Sequence, residues 1–507
     1  MKKNPTIENF LMQLAEQLEQ LQAGWHWPEN TRLCSLSLKP ALPLPTGMAD
    51  SLDDFYYTAE PERQRFSLGV GCAFEYKASQ PQAARGSRFD DLQRAFKTLQ
   101  SSWARLELEA GLDSDAVYSP VAAFIGFAFA AEDRMAAPWQ DWPNTLLTVP
   151  AVLLQRQGTQ LRLHLSATAE CLRSPVQRQQ QIHLWLKQSR QLLLALKYEG
   201  SKFEAGSSVG ESGVCLQQIR SEPENHHWLN LVEQARQLIH AGDLAKVVPA
   251  RHLSFKASQN LPTVKILETL SHRFPACTQL GLRRGTSTLL AASPEKLLRL
   301  EDGQIDCDAL GGTLPRSDDT IENRVLKQEL MQNPRIRREH ALVVEQMIQA
   351  LRPLSNTLPS PKTPSIMALR QLQHLWTPIH AQARTGINLL DIAARLHPTP
   401  AVAGTPTAVA QHWIRENEPF ARGWYSGAVG WMDAHGNGEL SVVLRCALVQ
   451  GRQIDVYAGA GIVADSEPAA ELEETELKLA SILGVLNAGV SEQADELQRH
   501  SPRATGS

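Results

Sequence analysis

The chain has 507 residues, 43% of them hydrophobic and 21% charged, with a formal net charge of −4. That composition belongs to a globular protein with a substantial core, and it lacks the basic excess that would draw nucleic acid or an anionic membrane. Seven scattered cysteines, odd in number and without a CxxC pair, argue against a disulfide framework and a zinc cluster and suit a reducing cytosol.

The opening "MKKNPTIENFLMQLAEQLEQLQ" carries two lysines but no uninterrupted apolar run behind them, so it predicts an amphipathic helix and not a signal peptide. No later stretch is apolar for the length a membrane span requires, and a cytoplasmic protein is expected. "AAFIGFAFA" (122–130) and "LRLHLSAT" (161–168) read as strands, and "IHLWLKQSRQLLLALK" (182–197) as a helix closing a first half, 1–205. "EGSKFEAGSSVGES" (199–212) reads as a loop or linker. A second half, 215–487, follows with strand candidates "KVVPARHLSF", "TLLAASPEKLLRL", "GAVGWMD", "LSVVLRCALV" and "QIDVYAGAGIV". Helices "HHWLNLVEQARQLIHAG" and "RREHALVVEQMIQALR" interleave with them, and the polar 488–507 reads as a frayed tail. Strands and helices without regular βαβ alternation predict an α+β fold.

Chemistry concentrates in the second half. On a helical wheel of "AELEETELKLA" (470–480), Glu471, Glu474 and Lys478 share one arc, Glu473 and Glu476 point elsewhere, and Leu472, Leu479 and Leu483 form an apolar stripe between. A Glu-rich run is most often a solvated face, and a metal site is the alternative. In "RIRREHALVVEQMIQALR" Glu339 falls inside the apolar arc of Ile336, Leu342, Val343, Met347 and Ala350, with Glu345 opposite. A carboxylate on such an arc is paired, protonated or bound to a metal. With Glu471 and Glu474 it would form an oxygen-only site suited to Mg²⁺.

Lys246 stands in the apolar run "AKVVPAR", either as a strand-edge lysine or as a desolvated amine able to act as a base. Glu295 follows Ser-Pro at the end of an apolar run, as a turn-initiating carboxylate or a general acid. "ALGGTLPR" (309–316) and "YAGAGIV" (457–463) carry glycines that permit close approach to a ligand, though turns explain most such pairs. Arg445 is a charge within a strand-like run and a candidate carboxylate clamp, while a lone histidine such as His374 is most often a satisfied core residue.

Taken in order, "KVVPAR", "AASPE", "ALGGT", "RREH", "LQHL", "LHPTPAVAGTP", "RGWYSG", "LRCA", "YAGAGIV" and "ELEETELK" closely resemble the chorismate-utilising enzymes. That family comprises the isochorismate, salicylate, anthranilate and aminodeoxychorismate synthases. The resemblance spans about 215–487, and the first half joins it chiefly through "FIGFAF". It implies one fold of large antiparallel sheets flanked by helices, with the active site in a central cleft and the 199–212 segment as an internal loop.

The resemblance also implies roles. Members that add ammonia lack the lysine at 246, whereas those that add water carry it as general base. Lys246 would then activate water for attack at C2 of chorismate, and Glu295 would protonate the departing C4 hydroxyl. Glu339 and Glu474 would ligate Mg²⁺, with Glu471 assisting through water. The metal would hold the ring carboxylate, with Gly312, Thr313, Gly459 and Lys478 around it. Arg445 would hold the enolpyruvyl carboxylate near Tyr425, with His374 and Ala401 in the ring pocket. "HPTPAV" (397–402) resembles the enzymes that stop at isochorismate, whereas salicylate synthases, the alternative, depart from it at Ala401 and Val402. Tyr425 is the departure, since salicylate synthases share it. No glutaminase subunit is expected, and the resemblance leans towards a monomer.

Overall fold

The computed structural model describes residues 5–21, 27–49, 52–78, 87–108, 121–133, 135–198, 215–357, 363–369 and 372–488. The expected linker at 199–212 and nearly all of the expected tail lie outside the described residues. The fold is α+β, as the irregular order of elements predicts, and it is built on large antiparallel sheets.

A run that is apolar on both faces needs cover on both sides of its sheet. Strand Ala122–Phe127 meets that condition and is buried along its whole length. Two large sheets are arranged accordingly, one of twelve strands and one of ten. Their facing surfaces enclose a core that includes Tyr56, Phe124, Trp139, Trp142, Leu289, Trp424 and Val429. Outer helices cover the remaining faces. The amphipathic opening becomes helix Pro5–Leu21, which buries Ile7, Phe10, Leu11, Leu14 and Leu18 against the twelve-stranded sheet. Helices Asn225–Ala241 and Pro334–Leu351 bury Trp228, Val343 and Met347 against the ten-stranded one.

Both halves of the sequence build both sheets. Six strands of the larger sheet precede the 199–212 segment and six follow it, joined where Phe55–Glu60 pairs with Thr278–Arg284. In the smaller sheet the junction is Ala122–Phe127 against Ala428–Asp433. Among the described residues every strand pair is antiparallel except Leu33–Leu38 with Trp103–Glu107.

Several apolar runs that read as single strands are two. "TLLAASPEKLLRL" divides into Ser287–Ser293 in the larger sheet and Lys296–Glu301 in the smaller. "LSVVLRCALV" divides into Gly438–Val442 in the smaller and Cys446–Gln450 in the larger. Glu295 and Arg445 therefore sit where the chain crosses between sheets, and Arg445 is not inside a strand. Its φ of 45° turns the chain there. The helix expected at 182–197 is Pro175–Leu194, capped by Ser174, and its last residues leave it for strand Leu196–Tyr198.

Candidate active site

The two crossings open onto a cleft completed by Lys246, the helices Pro334–Leu351 and Pro468–Ala488, and the loop 399–403. Lys246, Glu295, Gly312, Thr313, Glu339, His374, Ala401, Tyr425, Arg445, Gly459, Glu474 and Lys478 all line it, so twelve of the thirteen expected site residues converge. Glu471 is buried but does not line it.

Lys246 begins strand Lys246–Val247, which pairs with Gly404–Thr405, and is 1% exposed, so the strand-edge reading is wrong. Its Nζ donates to Glu339 Oε1 at 2.9 Å. Burial pushes the Glu339 carboxyl up, but Lys246, Lys478 and the Gly312 backbone together outweigh it and hold the group below the usual range. The contact depends on Gly461, because a Cβ there would lie 2.5 Å from Glu339 Oε1 and 2.9 Å from Lys246 Cε. Gly312, at φ 71°, brings its backbone against Ile336 in the same way.

Among the described residues Glu295 has no cationic partner at contact distance. Its N–H donates to Ser293 Oγ at 3.2 Å, and Oε1 accepts from Thr399 Oγ1 at 3.2 Å. Burial raises its carboxyl to about 7. A carboxyl that holds its proton near neutrality is the property of a general acid.

On the helix Pro468–Ala488, Glu474 accepts from Lys478 at 2.7 Å, and Lys478 also donates to Gly459 O at 2.8 Å. Glu471 is paired with Arg335 at 2.9 Å. Glu473 and Glu476 are exposed, as the wheel predicts, though Glu476 lies 3.7 Å from Arg251. The apolar stripe is displaced, since Leu472 and Leu483 are half-buried and Leu479, Ile482, Val485 and Leu486 carry the core contact. On helix Pro334–Leu351 the same correction applies: Leu342 and Ala350 are half-buried, His340 and Val344 are buried, and Glu339 sits at the edge of the stripe.

Carboxylate oxygens are hard donors of the kind Mg²⁺ takes, and Glu339 and Glu474 line the cleft with Glu471 buried outside its lining. Burial, then the negative charges of Glu474 and Glu339, push Glu471 up to about 8 despite Arg335. That is the electrostatic signature of a place short of positive charge. The three do not stand as a closed ligand set, because Lys246, Lys478 and Arg335 each hold one of them. Among the described residues, the trio with ligating atoms within 4.8 Å of one another is Glu224, His226 and His227, all exposed and none lining the cleft.

Beyond the carboxylates, Arg445 Nη2 lies 3.0 Å from His374 Nε2, and His374 Nδ1 lies 3.1 Å from Thr313 Oγ1. Burial, with Arg445 beside it, holds His374 well below the usual imidazole range, so the ring is neutral. Arg445 Nη1 is buried without a hydrogen-bond partner among the described residues, a donor left for an acceptor in the cleft. Tyr425 stacks on Tyr457 at 5.1 Å. Arg335, Thr399 and Tyr457 were not singled out in the sequence. Thr399 lies inside the "HPTPAV" motif and Tyr457 opens "YAGAGIV", which were their available signals, whereas Arg335 stands outside "RREH" and the other motifs of the resemblance.

The chain belongs to the chorismate binding enzymes, whose family profile matches residues 33–487. Its relatives include the salicylate biosynthesis isochorismate synthase of Pseudomonas aeruginosa, 31% identical over 437 residues covering 85% of this chain and 84% of that protein. Isochorismate synthase MenF of Bacillus subtilis is 28% identical over 434 residues, 85% of this chain and 87% of that one. Among solved structures, the menaquinone-specific isochorismate synthase MenF from Escherichia coli superposes with a TM-score of 0.69 at 22% identity, over 95% of this chain and 100% of that chain. Anthranilate synthase component I from Streptococcus pneumoniae does so at 0.63 and 20% identity, over 83% and 92%. At such identities these two likenesses speak for the fold alone. No helix among the described residues is long and apolar enough to cross a membrane.

Proposed function

We propose that the chain is an isochorismate synthase, an isomerase that converts chorismate reversibly to isochorismate. The observation that carries this reading is the pairing, in one cleft, of a buried lysine with a buried glutamate raised to about 7. Lys246 takes a proton from water, whose oxygen attacks C2. Both conjugated ring double bonds shift by one position, and the C4 oxygen leaves with the proton of Glu295 as a second water. In reverse, Glu295 is the base and Lys246 the acid. Arg445 supplies the donor for one substrate carboxylate, and Thr313 and the backbone at Gly312 and Gly459 line the place of the other. Glu339 and Glu474 would hold Mg²⁺, with Glu471 behind them. When bound, the ion supplies charge neutralisation for a dianionic substrate. We further assign a cytoplasmic monomer that acts without a glutaminase subunit.

The names of the relatives divide among salicylate, menaquinone and vibriobactin routes, so the downstream use of the product is left to gene neighbourhood. The test is incubation with chorismate and Mg²⁺, with and without ammonium. A chorismate–isochorismate mixture indifferent to ammonium is expected. Stoichiometric pyruvate and salicylate, detected by lactate dehydrogenase coupling, would replace the reading with salicylate synthase, and an ammonium-dependent product would replace it with an ammonia-adding member.

A further inference from the structure

Glu295 is held unevenly. Its backbone is pinned three times: its N–H donates to Ser293 Oγ at 3.2 Å, and its carbonyl accepts from Ser293 Oγ at 3.1 Å and from Val442 N at 3.1 Å. Among the described residues its carboxyl has a single hydrogen bond, from the Thr399 hydroxyl. Glu295 lines the cleft and Thr399 does not, although Thr399 is only 1% exposed. The hydroxyl thus approaches from behind the wall, through a segment fixed by the Thr399 carbonyl, which accepts from Val402 N at 3.1 Å and Ala403 N at 3.0 Å.

We propose that Thr399 is a positioning residue for the acid: its hydroxyl, donating to Oε1 of Glu295, leaves the transferable proton on Oε2, the oxygen free to face the cleft. A hydroxyl that donates to one carboxyl oxygen makes that oxygen the acceptor, so a neutral carboxyl keeps its proton on the other. The same contact serves the reverse reaction, because it persists when Glu295 is ionised and orients the free oxygen as the base. It also favours the ionised form, countering burial. The other charged groups acting on Glu295 are Asp308, which opposes ionisation, and Lys246 and Lys478, which favour it.

The role in turnover rests on the reading above; the contact itself does not. The experiment therefore has two readouts. First, the Glu295 carboxyl is titrated by infrared difference spectroscopy in the substrate-free full chain, with Glu295→Gln assigning the band. Thr399→Val, which keeps the shape and removes the donor, is expected to move the titration to higher pH, and Thr399→Ser to leave it near wild type. An unmoved or lowered titration in Thr399→Val overturns the proposal whatever the enzyme's substrate is, and Thr399→Ala serves in its place should the valine variant not fold. Second, with chorismate, Thr399→Val is expected to lose roughly tenfold in kcat, the scale of one hydrogen bond to a charged group, with KM within about twofold. Recovery of most turnover in Thr399→Ser is expected. A rise in KM with kcat unmoved, or no recovery with serine, makes Thr399 a packing residue and overturns the proposal. Absence of any isochorismate from the wild type would overturn the functional reading instead.

Discussion

Glu295 and Glu339 reach the same cleft, one from a crossing between sheets and the other from a helix, and they hold their protons oppositely. Glu339 meets an ammonium at 2.9 Å and is kept ionised, whereas Glu295 meets a hydroxyl and is pushed up to about 7. Burial acts in the same direction on both, so the partner decides. Of these two, the carboxylate beside the ammonium is prepared to hold charge, and the one without is prepared to hand over a proton. The cleft is divided along that line, into a charge-holding end at Glu339 and Glu474 and a proton-handling end at Glu295, with Lys246 belonging to both and Glu471, raised to about 8, behind the first.

The largest effect should come from the charge-holding end. EDTA is expected to abolish turnover and Mg²⁺ to restore it, and Glu339→Gln and Glu474→Gln are each expected to be inactive at ordinary Mg²⁺ concentrations. Full turnover in chelated buffer would remove the metal role from these carboxylates.

Lys246 tests whether the two ends are joined. Lys246→Ala is expected to lose roughly 10²–10⁴-fold in kcat, the scale of general acid–base catalysis, while still binding chorismate through Arg445. Lys246→Arg should not recover it, since a guanidinium keeps its proton. Near-normal turnover in either variant would detach Lys246 from the chemistry.

The pH profile sharpens the proton-handling end. The active enzyme carries one proton between Lys246 and Glu295, whichever holds it, and the reaction takes up no net proton. The kcat/KM profile should therefore be bell-shaped and the same in both directions. A carboxyl is the more acidic of such a pair, so protonation of Glu295 defines the acid limb. Its raised position places that limb near pH 7, with kcat/KM falling about tenfold per unit below it. A limb in the ordinary carboxylate range would show that Glu295 is not the partner.

The smallest effect is the control. Glu473→Gln and Glu476→Gln, on the solvent side of the helix that carries Glu474, are expected to stay within about twofold of wild type in turnover, as both carboxylates are exposed and neither lines the cleft. If these two behaved like Glu474→Gln, the division of this helix into two faces would be wrong.

The sorting of that helix was legible in sequence because a 3.6-residue period needs nothing beyond the helix itself. Glu471, Glu474 and Lys478 could be separated from Glu473 and Glu476 before any neighbour was known, and so could the buried face of Pro5–Leu21. The sheet crossings were not legible. Ser287–Ser293 and Lys296–Glu301 are both apolar, so their junction at Glu295 reads as one strand with a proline in it. Arg445 turns the chain at φ 45° with no glycine to announce it.

Local pattern thus determined which residues share a helix face and in what order the motifs follow one another. The tertiary structure alone decided what each buried charge meets. Lys246 and Glu339 are 93 positions apart, and Glu295 and Thr399 are 104. Periodicity shows that a carboxylate must find a partner, but an ammonium and a hydroxyl satisfy that need equally well as far as the sequence can show. Only the folding of strands from one sheet to the other sets Lys246 against Glu339 and Thr399 behind Glu295, and with them which glutamate keeps its charge and which keeps its proton.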